Sequence, residues 1–374
     1  MPDHLLDGRW RGKAHRPGVR ERVPAGALDR LSNLGDFGPN PGALGARVYV
    51  PLGLRRGAAL VVVLHGCAQT PGGYDHGAGW SALADAHGFA LLFPEQRRAN
   101  NANLCFNWFE PGDIARGQGE AASIAAMIGA MLARHAIDPR RVFVTGLSAG
   151  GAMANVMLAT YPELFAGGAI IAGMPYGVAT NVQQALGAMR LASRESAGGL
   201  AACVRLAAPE RARWPRISVW HGDADQVVAV GNADAVVRQW AGVHGLGATP
   251  SHEEDVAGQA HREWRDADGR VIVEEWRLRG MGHGTPLGAE GAGVAGPFML
   301  NVGLDSTSAI AVAWGIAPTV DPALAEERAV ANTDREAAPH PRVRRLTPEP
   351  VEQAAERGVA HVIEDALKKA GLMR

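Results

Sequence analysis

Lysine is almost missing from this sequence: of 37 basic residues only Lys13, Lys368 and Lys369 are lysine. With 48 glycines and abundant alanine beside it, the arginine excess reads as the mark of a GC-rich genome rather than of phosphate recognition. Charge imbalance is missing too. The 37 basic residues face 38 acidic ones, a net −1, so no global field gathers a polyanion and a nucleic-acid partner is not expected. No apolar run approaches the roughly 18 residues that a transmembrane helix needs. The first 22 residues carry Arg9, Arg11, Lys13, Arg16, Arg20 and Arg22 but no apolar stretch of a secretory signal. The expectation is a soluble, cytoplasmic protein, or an exported one if a leader has been removed. Cysteine is scarce: Cys67, Cys105 and Cys203 are too few and too scattered for a disulfide scaffold or a zinc site, and at most one bridge can form.

What is present is an ordinary globular composition, 47% hydrophobic and 20% charged, over a length that buries a sizeable core. From about residue 46 to 316, short β-branched apolar runs alternate with helical patterns, which predicts a mostly parallel sheet with crossover helices. Strands are predicted at Arg47–Val50, Leu60–Leu64, Phe89–Phe93, Arg141–Thr145, Ala169–Ala172, Ile217–Trp220 and Val271–Leu278. Helices are predicted at Gly79–His87, Gly119–His135, Gly151–Tyr161 and Asn232–Val243, with breaks at Pro71-Gly72-Gly73, Asp138-Pro139 and Asp268-Gly269. Residues 1–37 read as an N-terminal arm, 38–317 as one catalytic domain and 318–348 as a Pro-, Ala-, Glu- and Arg-rich linker. Residues 349–374 place Val351, Val359, Val362, Ile363, Ala366 and Leu367 at helical spacing. That stripe must cover a surface, either its own domain or a second subunit of a homo-oligomer.

The chemistry concentrates in the run Val142 to Gly151, a strand leading into Gly146-Leu147-Ser148-Ala149-Gly150 and then into a helix. A serine on so tight a turn needs neighbours without side chains, because strand and helix approach closely there; Gly146 and Gly150 meet that need. Serine also needs a base, and the base needs an orienting acid. Downstream, the strand ending at Trp220 runs into His221-Gly222-Asp223-Ala224-Asp225, an acidic pair just past a strand's carboxyl end. The next strand is followed by Gly280-Met281-Gly282-His283, a histidine on a glycine-flanked loop. Ser148, one of the pair Asp223 and Asp225, and His283 are therefore the candidate nucleophile, acid and base. His221, the rival histidine, reads as structural. Stabilising the oxyanion of acyl transfer takes two N–H donors: Ala149, after the nucleophile, and Cys67, on the loop after an early strand.

With these blocks assembled, the chain resembles the poly(3-hydroxybutyrate) depolymerase family of esterases, which also includes feruloyl and acetylxylan esterases. The likeness spans about residues 38–300 and rests on Leu64-His-Gly-Cys-Ala-Gln69, Cys105-Phe-Asn-Trp-Phe109, the Gly146–Gly150 box, His221-Gly-Asp-Ala-Asp225 and Gly280-Met-Gly-His283. It implies the α/β-hydrolase fold with helices on both sheet faces, no metal, no organic cofactor, and hydrolysis of hydroxyacid, aromatic or acetyl esters. It further implies that Asp225, not Asp223, is the acid, Asp223 shaping its own turn. By the same resemblance the Cys105 block lies beside the oxyanion loop, where Trp108 is either an aromatic wall or a core residue. His65, Gln69 and Trp108 are the candidate substrate contacts. Cys67 and Cys105 are either bridged or two buried thiols. An acyltransferase or peptidase on the same residues is the rival enzyme reading, and a silent granule-binding protein the rival of another class.

Overall fold

The computed structural model describes residues 29–209, 213–289 and 291–318. Most of the basic arm, the linker and the C-terminal amphipathic segment, with its proposed subunit contact, lie outside them. In chain order the first strands are β1 (Ser32–Asn33), β2 (Gly45–Tyr49), β3 (Ala58–Leu64), β4 (Ala90–Glu95), β5 (Ile137–Leu147) and β6 (Gly167–Ile171). There follow β7 (Arg216–Gly222), β8 (His252–Val256), β9 (Gln259–Arg265), β10 (Val271–Leu278), β11 (Thr285–Leu287) and β12 (Met299–Asn301). The helices are α1 (Pro71–Ala78), α2 (Trp80–His87), α3 (Pro111–Ile114), α4 (Gly119–Arg134), α5 (Ala149–Thr160), α6 (Val182–Arg190), α7 (Ala197–Ala207), α8 (Gly231–His244) and α9 (Ser306–Ala313).

Ten strands form one sheet in the order β1-β2-β4-β3-β5-β6-β7-β10-β9-β8. The six from β4 to β10 run parallel, and the strands outside them pair antiparallel. Every residue of β3 is buried, and its alternation sorts them to two faces. Leu60, Val62 and Leu64 join Ile124, Met127 and Met131 of α4, Met153 of α5 and Trp240 of α8. Val61 and Val63 join Trp80 of α2, Phe89, Ile310 of α9 and Trp314. Helices therefore cover both faces, as in the α/β-hydrolase fold.

Several predicted boundaries move for identifiable reasons. Pro71-Gly72-Gly73, predicted as a break, opens α1: Thr70 Oγ1 accepts from Gly73 N at 3.2 Å, and proline at a helix start loses no hydrogen bond. Asp138-Pro139 lies within β5, where the pairing with β3 shifts register between Ala58 and Leu60 and so accommodates a residue without an N–H. The arm's last residues belong to the body, since Leu31 and Leu34 are buried and β1 pairs with β2. The hairpin β8–β9, unread in the sequence, buries His261 and Glu263 where a strand pattern calls for apolar residues.

That hairpin braces the strands that lead into the candidate acid and base. His261 stacks on Trp276 of β10 at 4.0 Å between ring centroids, and Trp276 stacks on Trp220 of β7 at 4.9 Å. The two ring nitrogens of His261 lie 3.1 Å from Glu254 and 3.1 Å from Glu274. Burial disfavours the imidazolium, but hydrogen bonds to Glu274 and Glu254 outweigh it and hold the His261 pKa above its ordinary value. A raised folded value stabilises the protein below the unfolded pKa, and that contribution fades as pH rises through the folded one. His261→Gln is therefore expected to lower the urea midpoint more at about pH 5.5 than at about pH 8.5. An equal shift at both values would remove His261 from the pH dependence of stability.

Candidate active site

Ser148 stands between the end of β5 and the start of α5 with φ 58° and ψ −119°, a conformation that a residue with a side chain rarely adopts. Such a residue is strained by about 1–3 kcal/mol and persists only where its surroundings fix it. They do so on two sides: Ser148 N donates to Ile171 O of β6 at 2.9 Å, and Ser148 O accepts from Ala152 N of α5 at 2.8 Å. The glycines are needed for space. A Cβ on Gly146 would sit 2.5 Å from the Gly150 carbonyl, and one on Gly150 would sit 2.2 Å from Leu64 O. A Cβ on Gly151 would meet Ile171 O at 2.7 Å. The loop after β3 is thereby pressed against the serine turn.

That loop, residues 65–69, carries the candidate donor Cys67. Gly66 N donates to Gln69 Oε1 at 2.8 Å, Ala68 N to Asn103 O at 2.7 Å and Gln69 N to Gly66 O at 3.3 Å. Among the described residues no acceptor takes the N–H of Cys67, and none takes that of Ala149 at the first position of α5. Cys67 is bridged to Cys105, so the loop is tied covalently to the segment 105–109. Beneath them Gln96 Nε2 donates to Cys105 O at 3.0 Å and to Glu120 Oε1 at 2.5 Å, while Asn107 N donates to Glu120 Oε2 at 2.9 Å. Burial pushes the Glu120 carboxyl up to about 8 against those hydrogen bonds. No sequence pattern singled out Glu120 or Gln96; an acidic residue in the first turn of a helix is ordinary.

Two of the candidate substrate contacts are occupied within the fold. His65 is 1% exposed, its Nδ1 2.8 Å from Gly66 O and its Nε2 3.2 Å from Gln96 N. Burial lowers its pKa to about 4, so it stays neutral and holds loops together instead of meeting a substrate. Gln69 is likewise buried, its carbonyl spent on Gly66 N. Trp108 packs in the core, edge-on to Phe109 at 5.3 Å, which answers the choice between wall and core in favour of core. Phe109 is the aromatic that reaches a surface cleft, shared with Asn101, Asn107, Asp113 and Gln118.

At the carboxyl ends of β7 and β10, the loops that carry the candidate acid and base are sewn together. Asp223 N donates to Leu278 O at 3.0 Å and Ala224 N to Met281 O at 3.1 Å. Asp223 Oδ1 accepts from Gly280 N at 2.7 Å, so Asp223 shapes the histidine's loop and not, as predicted, its own turn. His283 Nδ1 lies 2.7 Å from Asp225 Oδ2, with the acid's side chain wholly buried. Burial alone would raise the Asp225 pKa; hydrogen bonds from His221 and His283 overcome it and hold the carboxyl well below the usual range. Phe298, itself at φ 62°, packs edge-on against His283 at 6.1 Å between centroids. Ser148 Oγ forms no hydrogen bond with His283 among the described residues, a contact that commonly closes only with substrate bound. Nor, among those residues, do His, Cys, Asp and Glu group as a metal site would.

The glycine requirement is testable. Gly150→Ala is expected to cost at least about 1–3 kcal/mol of folding stability by overpacking and to lower turnover of a model ester, because the Leu64–Gly66 backbone must move away. Wild-type stability and turnover in that variant would show the close approach to be unimportant.

The family described as Esterase PHB depolymerase matches residues 44–266. Poly(3-hydroxyalkanoate) depolymerase C of Paucimonas lemoignei is 44% identical over 299 residues, covering 79% of this chain and 72% of that protein. An acetylxylan esterase of Coprinopsis cinerea is 32% identical over 274 residues, covering 71% of each. Among solved structures, the acetyl xylan esterase from Aspergillus awamori superposes with a TM-score of 0.65 at 25% identity, over 77% of this chain and 99% of that one.

Proposed function

The chain belongs to the PHB depolymerase family of esterases and is a carboxylic ester hydrolase; from that premise we propose that it cleaves hydroxyalkanoate esters through Ser148, His283 and Asp225. The observation that carries the reading is the backbone of Ser148. A strained serine at a strand–helix turn, on the edge where a buried Asp–His pair also lies, suits nucleophilic attack better than any structural duty. The substrate class rests on the depolymerase relative at 44% identity. The acetylxylan and feruloyl esterase relatives, at 32% and 31%, favour acetyl and feruloyl esters as the second reading.

In the proposed sequence His283 Nε2 takes the proton of Ser148 as Oγ attacks the ester carbonyl. The carbonyl oxygen becomes an oxyanion facing the N–H groups of Cys67 and Ala149, each without an acceptor among the described residues. Collapse of the tetrahedral intermediate breaks the bond to the alkoxy oxygen, which leaves with the proton from His283, and an acyl-serine remains. Water, deprotonated by the same imidazole, attacks that acyl group; the second intermediate releases the acid and returns the proton to Ser148. Each preorganised donor is worth about 3 kcal/mol of transition-state stabilisation. Asp225 holds the imidazole with its proton on Nδ1, leaving Nε2 as the base. The Cys67–Cys105 bridge favours an oxidising compartment over the cytoplasmic expectation as part of this proposal.

Ser148→Ala is expected to abolish turnover of p-nitrophenyl butyrate, a fall on the order of 10⁴- to 10⁶-fold, and to remove fluorophosphonate labelling. A folded variant retaining a hundredth of the activity would require another nucleophile. Asp225→Asn is expected to lose at least about 10³-fold in kcat, against roughly tenfold or less for Asp223→Asn. The opposite ranking would move the acid to Asp223. Comparing hydroxybutyrate oligomers, methyl ferulate and acetylated xylan decides between the two substrate readings.

A further inference from the structure

We propose that His221 is a positioning residue for the active site, a buried imidazole whose Nε2–H holds the Asp225 carboxylate in line with His283. The inference rests on the reading of Asp225 as the acid that orients His283, and extends it to a residue the proposed mechanism does not use.

His221 closes β7 and is 1% exposed; its side chain and that of Asp225 lie 3.3 Å apart, Nε2 to Oδ2, with neither reached by solvent. The same nitrogen is 2.9 Å from Val228 O. A backbone carbonyl only accepts, so Nε2 carries the proton and His221 donates, dividing one N–H between Val228 O and Asp225 Oδ2. The acid's other oxygen is already full: Oδ1 accepts from Val227 N at 2.8 Å and Val228 N at 2.9 Å. With His283 Nδ1 on Oδ2 at 2.7 Å, all four acceptor directions of the carboxylate are used.

This arrangement leaves Asp225 little freedom to rotate. Turning about its terminal bond would forfeit the two amide donors on Oδ1 and bring no new partner to Oδ2. Without His221, Oδ2 would be held by the imidazole of His283 alone, the one partner that must change charge during turnover. The surrounding charges are few. Across the strand pair Arg277 stands in register with His221, and its guanidinium is engaged by Asp234 and Glu275. The His221 side chain is therefore a donor in a buried, almost fully paired environment, which suits orientation more than proton transfer. Its donation also tempers the carboxylate's basicity. A more basic Asp225 would favour the imidazolium form of His283 and hold back the base.

The test compares His221→Leu, which removes the donor, with His221→Gln, whose amide can place N–H at the same point. In His221→Leu, kcat on a p-nitrophenyl ester is expected to fall about 10- to 100-fold, the range for a lost hydrogen bond to a charged group, with KM changed less than about threefold. The acid limb of its kcat/KM–pH profile is expected to move to higher pH, and His221→Gln is expected to restore most of both. Equal losses in the two variants, or a leucine variant with wild-type kcat and pH profile, would overturn the proposal. Should the leucine variant not fold, ¹⁵N resonances of the wild-type imidazole decide: a proton on Nε2 of His221 supports the assignment, and a proton on Nδ1 refutes it. Asp225→Asn serves as the control. If that variant keeps its activity the underlying acid is wrong; if it is dead while His221→Leu is normal, only the role of His221 fails.

Discussion

Everything at this sheet edge depends on one strained residue, Ser148, held at positive φ between β5 and α5. A strand that ends in a helix with no intervening loop forces backbone from three directions into the space around that residue. Leu64 O, Gly150 O and Ile171 O all come within 3 Å of where a Cβ would stand on Gly146, Gly150 or Gly151. The strain of about 1–3 kcal/mol is small beside a core in which every residue of β3 is buried. The same crowding carries the β3 loop against the serine. Glycine at 146 and 150 is what lets the backbone of Leu64 and His65 meet the start of α5, whatever the side chains on either side.

On the other half of the edge, order comes from backbone hydrogen bonds between loops far apart in sequence. Leu278 O and Met281 O accept from Asp223 N and Ala224 N, and Asp223 returns a hydrogen bond to Gly280 N. The acid and base loops consequently behave as one unit fixed to β7 and β10. Those two strands are further joined by the stack of Trp220 on Trp276 and of Trp276 on His261. Aromatic faces a few ångströms apart resist the sliding that would change the Asp225–His283 distance. The outer hairpin is thus joined through stacked rings to the two strands that lead into the candidate acid and base.

How much of this was legible follows from which signals are local. Apolar β-branched runs and the glycine–serine turn are local, so the central strands, the α5 start and the candidates Ser148 and His283 could be read from residues alone, whereas the choice of Asp225 over Asp223 needed the resemblance to related hydrolases. The hairpin β8–β9 escaped because its inward positions are His261 and Glu263, buried as partners of other charged groups and not as apolar residues. α1 escaped because its Pro-Gly-Gly opening spells a turn until Thr70 is seen to cap it. The substrate contacts were misplaced for a different reason. His65 and Gln69 sit on the right loop, but motif position does not reveal that both are buried, the ring nitrogens of His65 held by Gly66 and Gln96 and the Gln69 side-chain oxygen by Gly66 N. Side-chain direction within a loop is a tertiary property.

The buried polar groups of this edge divide into two kinds, and the division bears on mechanism. Glu120, buried against Gln96 and Asn107, has its carboxyl pushed up to about 8, mainly by lost solvation. Asp225 is buried as well, yet its pKa is held low, because two imidazoles and two amides donate to it. Burial therefore decides the charge of Glu120, whereas the number and kind of donors decide that of Asp225. Glu120, largely neutral, brings little charge to the segment 105–109 that the disulfide ties to the Cys67 loop. Kept ionised, Asp225 can stabilise an imidazolium at His283 in the proposed mechanism. The fold thus places a permanent negative charge where that mechanism develops a positive one.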